Sequence, residues 1–99
     1  MTITVQYVKM PTSETMTEFV LDKLYDLANK FEWVIKADVH FKTEKDTKGK
    51  GNICEIELSL PGPRIFASSN EKNYELAVKH TISDLIKQLK KRKATFIKH

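Results

Sequence analysis

Residues 79–99 hold seven of the chain's seventeen Lys and Arg, namely Lys79, Lys87, Lys90, Lys91, Arg92, Lys93 and Lys98, against a single acid, Asp84. Residues 1–78 carry ten cations against twelve anions, so the formal net charge of +4 hides a segment of +6 joined to one of −2. The chemistry open to such a segment is electrostatic. Ammonium and guanidinium groups grip phosphate oxygens, and crowding them together costs self-repulsion that a bound polyanion removes. The plainer reading is a solvated face that keeps the protein soluble, yet solubility is better served by acids and by interspersed signs.

Side chains capable of bond-making chemistry are few. Catalysis needs a nucleophile, a base and an orienting group converging on one pocket. Here Cys54 sits at an inward position of an apolar alternation, and His40, His80 and His99 are scattered along the chain. No two of His and Cys stand at metal-ligand spacing. Gly49, Gly51 and Gly62 fall in turn sequences, not in a phosphate loop. Neither an enzyme activity nor a metal, cofactor or small-molecule substrate is expected.

The elements that must carry the cations follow from periodicity. A chain of 99 residues is one domain with one core. The lone cysteine excludes an internal disulfide and suits a reducing, cytoplasmic setting. No apolar run nears the ~20 residues of a membrane span, and the N-terminus lacks an export-signal pattern. Ile3, Val5 and Tyr7 alternate with polar residues in a first strand. Ser13 is a candidate N-cap for a helix over 13–31, whose stripe is Met16, Phe19, Val20, Leu24, Leu27, Ala28 and Phe31. From residue 35 to 42 the period is two, with Ile35, Ala37, Val39 and Phe41 inward.

Residues 43–52, charged and lacking apolar side chains, read as a mobile hairpin loop. Cys54, Ile56, Leu58 and Leu60 mark a third strand, and Pro61-Gly62-Pro63 turns it into a fourth with Ile65 and Ala67 inward and Phe66 outward. Ser68, Ser69 and Asn70 are candidate caps for a last helix whose stripe is Val78, Ile82, Leu85, Ile86, Leu89 and Phe96. The order strand, helix, three strands, helix predicts an α+β two-layer sandwich: a four-stranded mixed sheet with both helices on one face.

Residues 71–98 as a helix would span about 42 Å against about 23 Å for a seven-residue strand, so residues 90–99 should overhang the sheet. On a helical wheel Lys79, Lys87, Lys90, Lys91 and Lys98 fall opposite the apolar stripe, with Arg92 and Lys93 flanking it. The other sheet face would carry Asp38, Glu55 and Glu57, which repel phosphates, so a nucleic acid should meet the helices. Tyr25 and Tyr74 read as packing residues, leaving little among the cations to read bases, and recognition of shape and backbone is expected.

The run Gln88-Leu89-Lys90-Lys91-Arg92-Lys93 after Lys87, the ending Lys98-His99, the strand end Ala67-Ser68 and the segment Thr17-Glu18-Phe19-Val20 resemble the ribosome hibernation promoting factor and ribosome-associated inhibitor family, in its short form. Asp26 stands where that family often has a second basic residue. The resemblance implies a stress-response regulator of translation, ribosome-associated in the cytoplasm. It would bind 16S ribosomal RNA of the small subunit in the channel of messenger and transfer RNA. A separate factor that dimerises ribosomes would be a further partner. It also implies contacts by Lys23, Lys87, Lys91, Lys93 and Lys98; charge geometry adds Lys30, Lys79, Lys90 and Arg92. Two other classes compete. A generic double-stranded RNA-binding module would want a lysine-rich entry to the last helix, where residues 70–75 offer only Lys72 beside Glu71 and Glu75. A protein adaptor would use a surface at Trp33 and Phe66.

Overall fold

A computed structural model describes residues 1–45 and 48–97. Asp46 and Thr47 of the expected mobile loop, and Lys98 and His99, lie outside the described residues. The elements run β1 (Thr2–Tyr7), α1 (Glu14–Lys30), β2 (Lys36–Thr43), β3 (Asn52–Ser59), β4 (Ile65–Glu71) and α2 (Tyr74–Ile97). The sheet order is β1-β2-β3-β4, with β1 parallel to β2 and the other pairs antiparallel. A parallel pair needs a crossover, and α1 supplies it. This is the α+β sandwich its periodicities predict.

One face of the sheet and the two helices enclose the core. Ala37, Val39 and Phe41 of β2, Cys54, Ile56 and Leu58 of β3, and Ile65 and Ala67 of β4 are buried beneath Val20, Leu24 and Leu27 of α1 and Ala77, Val78, Leu85 and Leu89 of α2. Thr81 is the one buried polar side chain of the described residues; its hydroxyl lies 2.8 Å from the Ala77 carbonyl and 3.2 Å from that of Cys54, so its burial leaves no orphan donor. Ser13 caps α1 as expected, its Oγ accepting from the Met16 N–H at 3.2 Å.

Three local expectations differ. Ser68, Ser69 and Asn70 do not cap α2; they extend β4, paired with Glu55, Cys54 and Ile53. Ladder pairing outweighs their turn preference, and Asn73 caps instead, its Oδ1 accepting from the Leu76 N–H at 2.8 Å. Ile35 is 61% exposed, because Val34 takes the core position where the chain enters β2. Tyr25 is exposed on α1, whereas Tyr74 is half-buried, edge-on to Phe41 with its hydroxyl 2.9 Å from the Lys42 carbonyl.

Candidate nucleic-acid interface

Positions 79, 82, 83, 86, 87 and 90 of α2 recur at intervals of three and four, which places them on one helical face beside the core stripe. That face turns toward α1. Together with Lys23 of α1, the side chains Lys79, Ile82, Ser83, Ile86, Lys87 and Lys90 line an open groove of about 320 Å³. Lys23 is held from behind, its Nζ lying 5.4 Å from the centroid of the Phe19 ring one turn earlier, a cation–π distance.

Among the described residues, none of Lys23, Lys79, Lys87 and Lys90 forms an ion pair. The one acid in this stretch of α2, Asp84, accepts instead from the Gln88 side chain at 3.3 Å. Four lysines thus line a concavity with no carboxylate in its lining, an arrangement whose self-repulsion a bound anion would relieve.

The remaining sequence-derived candidates are dispersed. Lys91 and Lys93 are exposed on α2, beyond Leu89, its last buried side chain among the described residues. Lys30 is exposed in the last turn of α1, where a cation also complements the helix dipole. Lys98 is outside the described residues. Arg92 faces inward: its guanidinium donates to the carbonyls of Pro61 and Pro63 at 3.0 and 2.9 Å, clasping the β3–β4 turn. At Gly62 φ is +92°, so the turn favours glycine for its conformation; an added Cβ would stand 2.9 Å from that guanidinium, a flexible side-chain end that could shift.

The outer sheet face is not the acidic surface its sequence suggested. Asp38 pairs with Lys36 at 3.6 Å, Glu55 with Lys42 at 2.8 Å and Glu57 with Arg64 at 3.1 Å. Because His40 opposes Glu55 and Phe66 opposes Glu57, Lys42 and Arg64 are diagonal neighbours of the two acids, within reach of long side chains. Each carboxylate is neutralised in place. Trp33 turns inward, edge-on to Phe31 at 5.9 Å, while Phe66 stands 52% exposed on the outer face of β4.

Burial pushes the Cys54 thiol up to about 12, with the Glu55 carboxylate adding to the rise, so it keeps its proton at neutral pH. Among the described residues no three His, Cys, Asp or Glu are grouped to hold a metal, and no helix is long and apolar enough to cross a membrane.

Sequence reasoning missed Ile82, Ser83 and Ile86 as groove residues. Their spacing to Lys79, Lys87 and Lys90 was a usable signal; that Lys23 faces them depends on how the two helices pack.

Residues 3–96 match the family model of the Sigma 54 modulation protein and S30EA ribosomal protein, and the chain belongs to that family, the hibernation family its sequence resembles. Two solved structures share the fold. A ribosomal subunit interface protein from Coxiella burnetii is 23% identical, with a TM-score of 0.82 over 95% of this chain and 99% of its own. The N-terminal domain of Protein Y from Thermus thermophilus is 19% identical, with a TM-score of 0.78 over 92% of this chain and 98% of its own. No curated protein sequence matches significantly.

Proposed function

We propose that this protein silences translation by occupying the small ribosomal subunit. In this reading Lys23, Lys79, Lys87 and Lys90 hold 16S ribosomal RNA phosphates in the channel that messenger and transfer RNA would use. Lys30, Lys91, Lys93 and Lys98 extend the interface, and Arg92 serves mainly to fix the end of α2. The observation that carries the proposal is the convergence of four lysines without acidic partners on one groove between the helices, while Lys36, Lys42 and Arg64 of the sheet face are each matched with an acid. Family membership supplies the ribosome as the polyanion.

Binding of this kind is electrostatic. Neutralising about six phosphates would cost roughly two and a half to three decades of affinity between about 50 and 200 mM salt. Sedimentation of a stationary-phase lysate through a low-salt sucrose gradient tests the proposal: the protein should travel with small subunits or whole ribosomes. Free migration would refute it. Purified small subunits should also outcompete bare RNA duplex. Preference for duplex would favour the double-stranded RNA module, which has little support at the entry to α2, where Asn73 is a cap and Glu71 lies 3.0 Å from His80.

A further inference from the structure

The groove between α1 and α2 has a lining that gripping a phosphate backbone does not require. Backbone contacts need cations and hydrogen-bond donors, and an open ridge of lysines would supply them. Here the lysines instead stand around isoleucines. Ile82 is 7% exposed and belongs to the core, Ile86 is half-buried against that core, and Ser83 lines the same groove. These isoleucines serve the core, and the apolar surface they leave open beside four lysines can take up the apolar part of a ligand. The volume of about 320 Å³ falls at the lower end of the ~300–1,000 Å³ of small-molecule sites. It is larger than one phosphate group requires.

We propose that this groove takes a single nucleotide unit, its phosphates on Lys23, Lys79, Lys87 and Lys90 and its base laid against Ile86 and the edge of Ile82. The inference rests on the phosphate-gripping reading of these lysines and deepens it, since it turns a backbone clamp into a site that accepts a base. A nucleotide splayed out of an RNA strand and a free nucleoside polyphosphate offer the same chemistry, phosphate joined through a sugar to a flat heterocycle. If the free nucleotide enters, it competes with RNA for the four lysines. Because no aromatic ring of the described residues lines the groove, the base is held by its apolar face, with Ser83 the one uncharged polar side chain in the lining.

The test is methyl NMR of isoleucine-labelled protein, titrated at low salt without magnesium with ATP, inorganic tripolyphosphate and a single-stranded uridine hexamer. Tripolyphosphate carries at least as much charge as ATP, so a purely electrostatic groove would bind it at least as tightly. We expect the reverse order. ATP should bind about tenfold more tightly, the equivalent of burying ~50 Å² of apolar surface, and should shift the Ile82 and Ile86 methyl resonances. Ile86→Ser should bring ATP down to the tripolyphosphate level. Should that variant melt early, the comparison of ligands on the unaltered protein still decides.

The hexamer and ATP arms identify the source: methyl shifts with the hexamer alone assign the groove to an RNA strand, with ATP alone to free nucleotide, and with both to either. Tripolyphosphate binding as tightly as ATP, with the isoleucine methyls unmoved, would overturn the proposal. So would absence of ATP and hexamer shifts in a protein that still cosediments with small subunits, an outcome that leaves the ribosomal reading standing. Loss of cosedimentation together with all ligand binding would remove both.

Discussion

The two faces of this molecule carry cations in opposite states. On the outer face of the sheet Lys36, Lys42 and Arg64 each pair with a carboxylate, and the face is electrically balanced. On the helical face Lys23, Lys79, Lys87 and Lys90 stand around a common groove without an acid. The difference arises from spacing. Strand register sets Lys42 diagonal to Glu55 and Arg64 diagonal to Glu57, while Lys36 and Asp38 are next neighbours along one face of β2. In α2 the i, i+3 and i, i+4 neighbours of Lys87 and Lys90 include each other, Lys91 and Lys93, while Asp84 is occupied by Gln88 and, among the described residues, Glu75 one turn before Lys79 forms no ion pair with it. Cation content alone does not distinguish the faces; the acids beside the cations do.

The largest effect should come from the layer that both faces share. Leu85 is fully buried where α2 meets the sheet. Leu85→Asp buries an unpaired carboxylate and should cost about 4 kcal/mol or more, a large part of a small domain's stability. The cooperative thermal transition followed by circular dichroism should vanish or fall steeply. An unchanged melt would mean that the groove lysines are not anchored to the core by this helix.

Next in size is the direct comparison of the faces by equal changes in charge. Replacing Lys87 and Lys90 with Glu should weaken small-subunit binding by well over tenfold at about 100 mM salt and flatten the salt slope by about 0.7–0.9 for each phosphate no longer neutralised. The same double reversal at Lys36 and Lys42 should leave affinity within about threefold, since those ammoniums already have partners. Filter binding over a salt series checks both. Equal losses would mean that net charge governs the interaction and that the groove has no special part in it.

What could be seen in advance divides along the same line. Periodicity gave the six elements, and Ser13 the start of α1, because those signals are local: alternation by two, stripes by three and four, a side chain that can cap. The polar run Ser68, Ser69 and Asn70 misled, because an outward strand edge and a helix entry ask for the same small polar residues and only pairing with β3 separates them. Ile35 misled because one turn of chain before β2 hands its core place to Val34. The basic character of the helices was legible, but which lysines meet was not, since Lys23 lies more than fifty residues from the α2 stripe it faces. The neutrality of the sheet face was hidden in part for a similar reason: Lys36 stands two residues from Asp38 on the same strand, a pair visible in a sequence, but that Lys42 meets Glu55 and Arg64 meets Glu57 requires the register.

Arg92 supplies a prediction of intermediate size, because it is a cation of the basic helix used in the manner of the sheet face. Arg92→Ala removes two charge-assisted hydrogen bonds to the Pro61 and Pro63 carbonyls, both of which remain open to water. Stability should fall by about 1–2 kcal/mol, with most of the binding retained. Denaturant titration at unchanged slope would register it. A binding loss as large as that of the Lys87 and Lys90 reversal, with stability intact, would transfer Arg92 to the phosphate-gripping set.

The smallest effect is expected where the faces differ most in appearance. Glu57→Gln breaks the pair with Arg64, whose side chains are 38% and 67% exposed. Exposed pairs contribute about 0–1 kcal/mol, so the melting temperature should hardly move. Binding should change little as well, although the substitution frees one cation. If freeing Arg64 instead strengthened small-subunit binding by several-fold, the sheet would prove to be a second phosphate surface held in check by its own acids, and the contrast between the faces would be one of regulation, not of location.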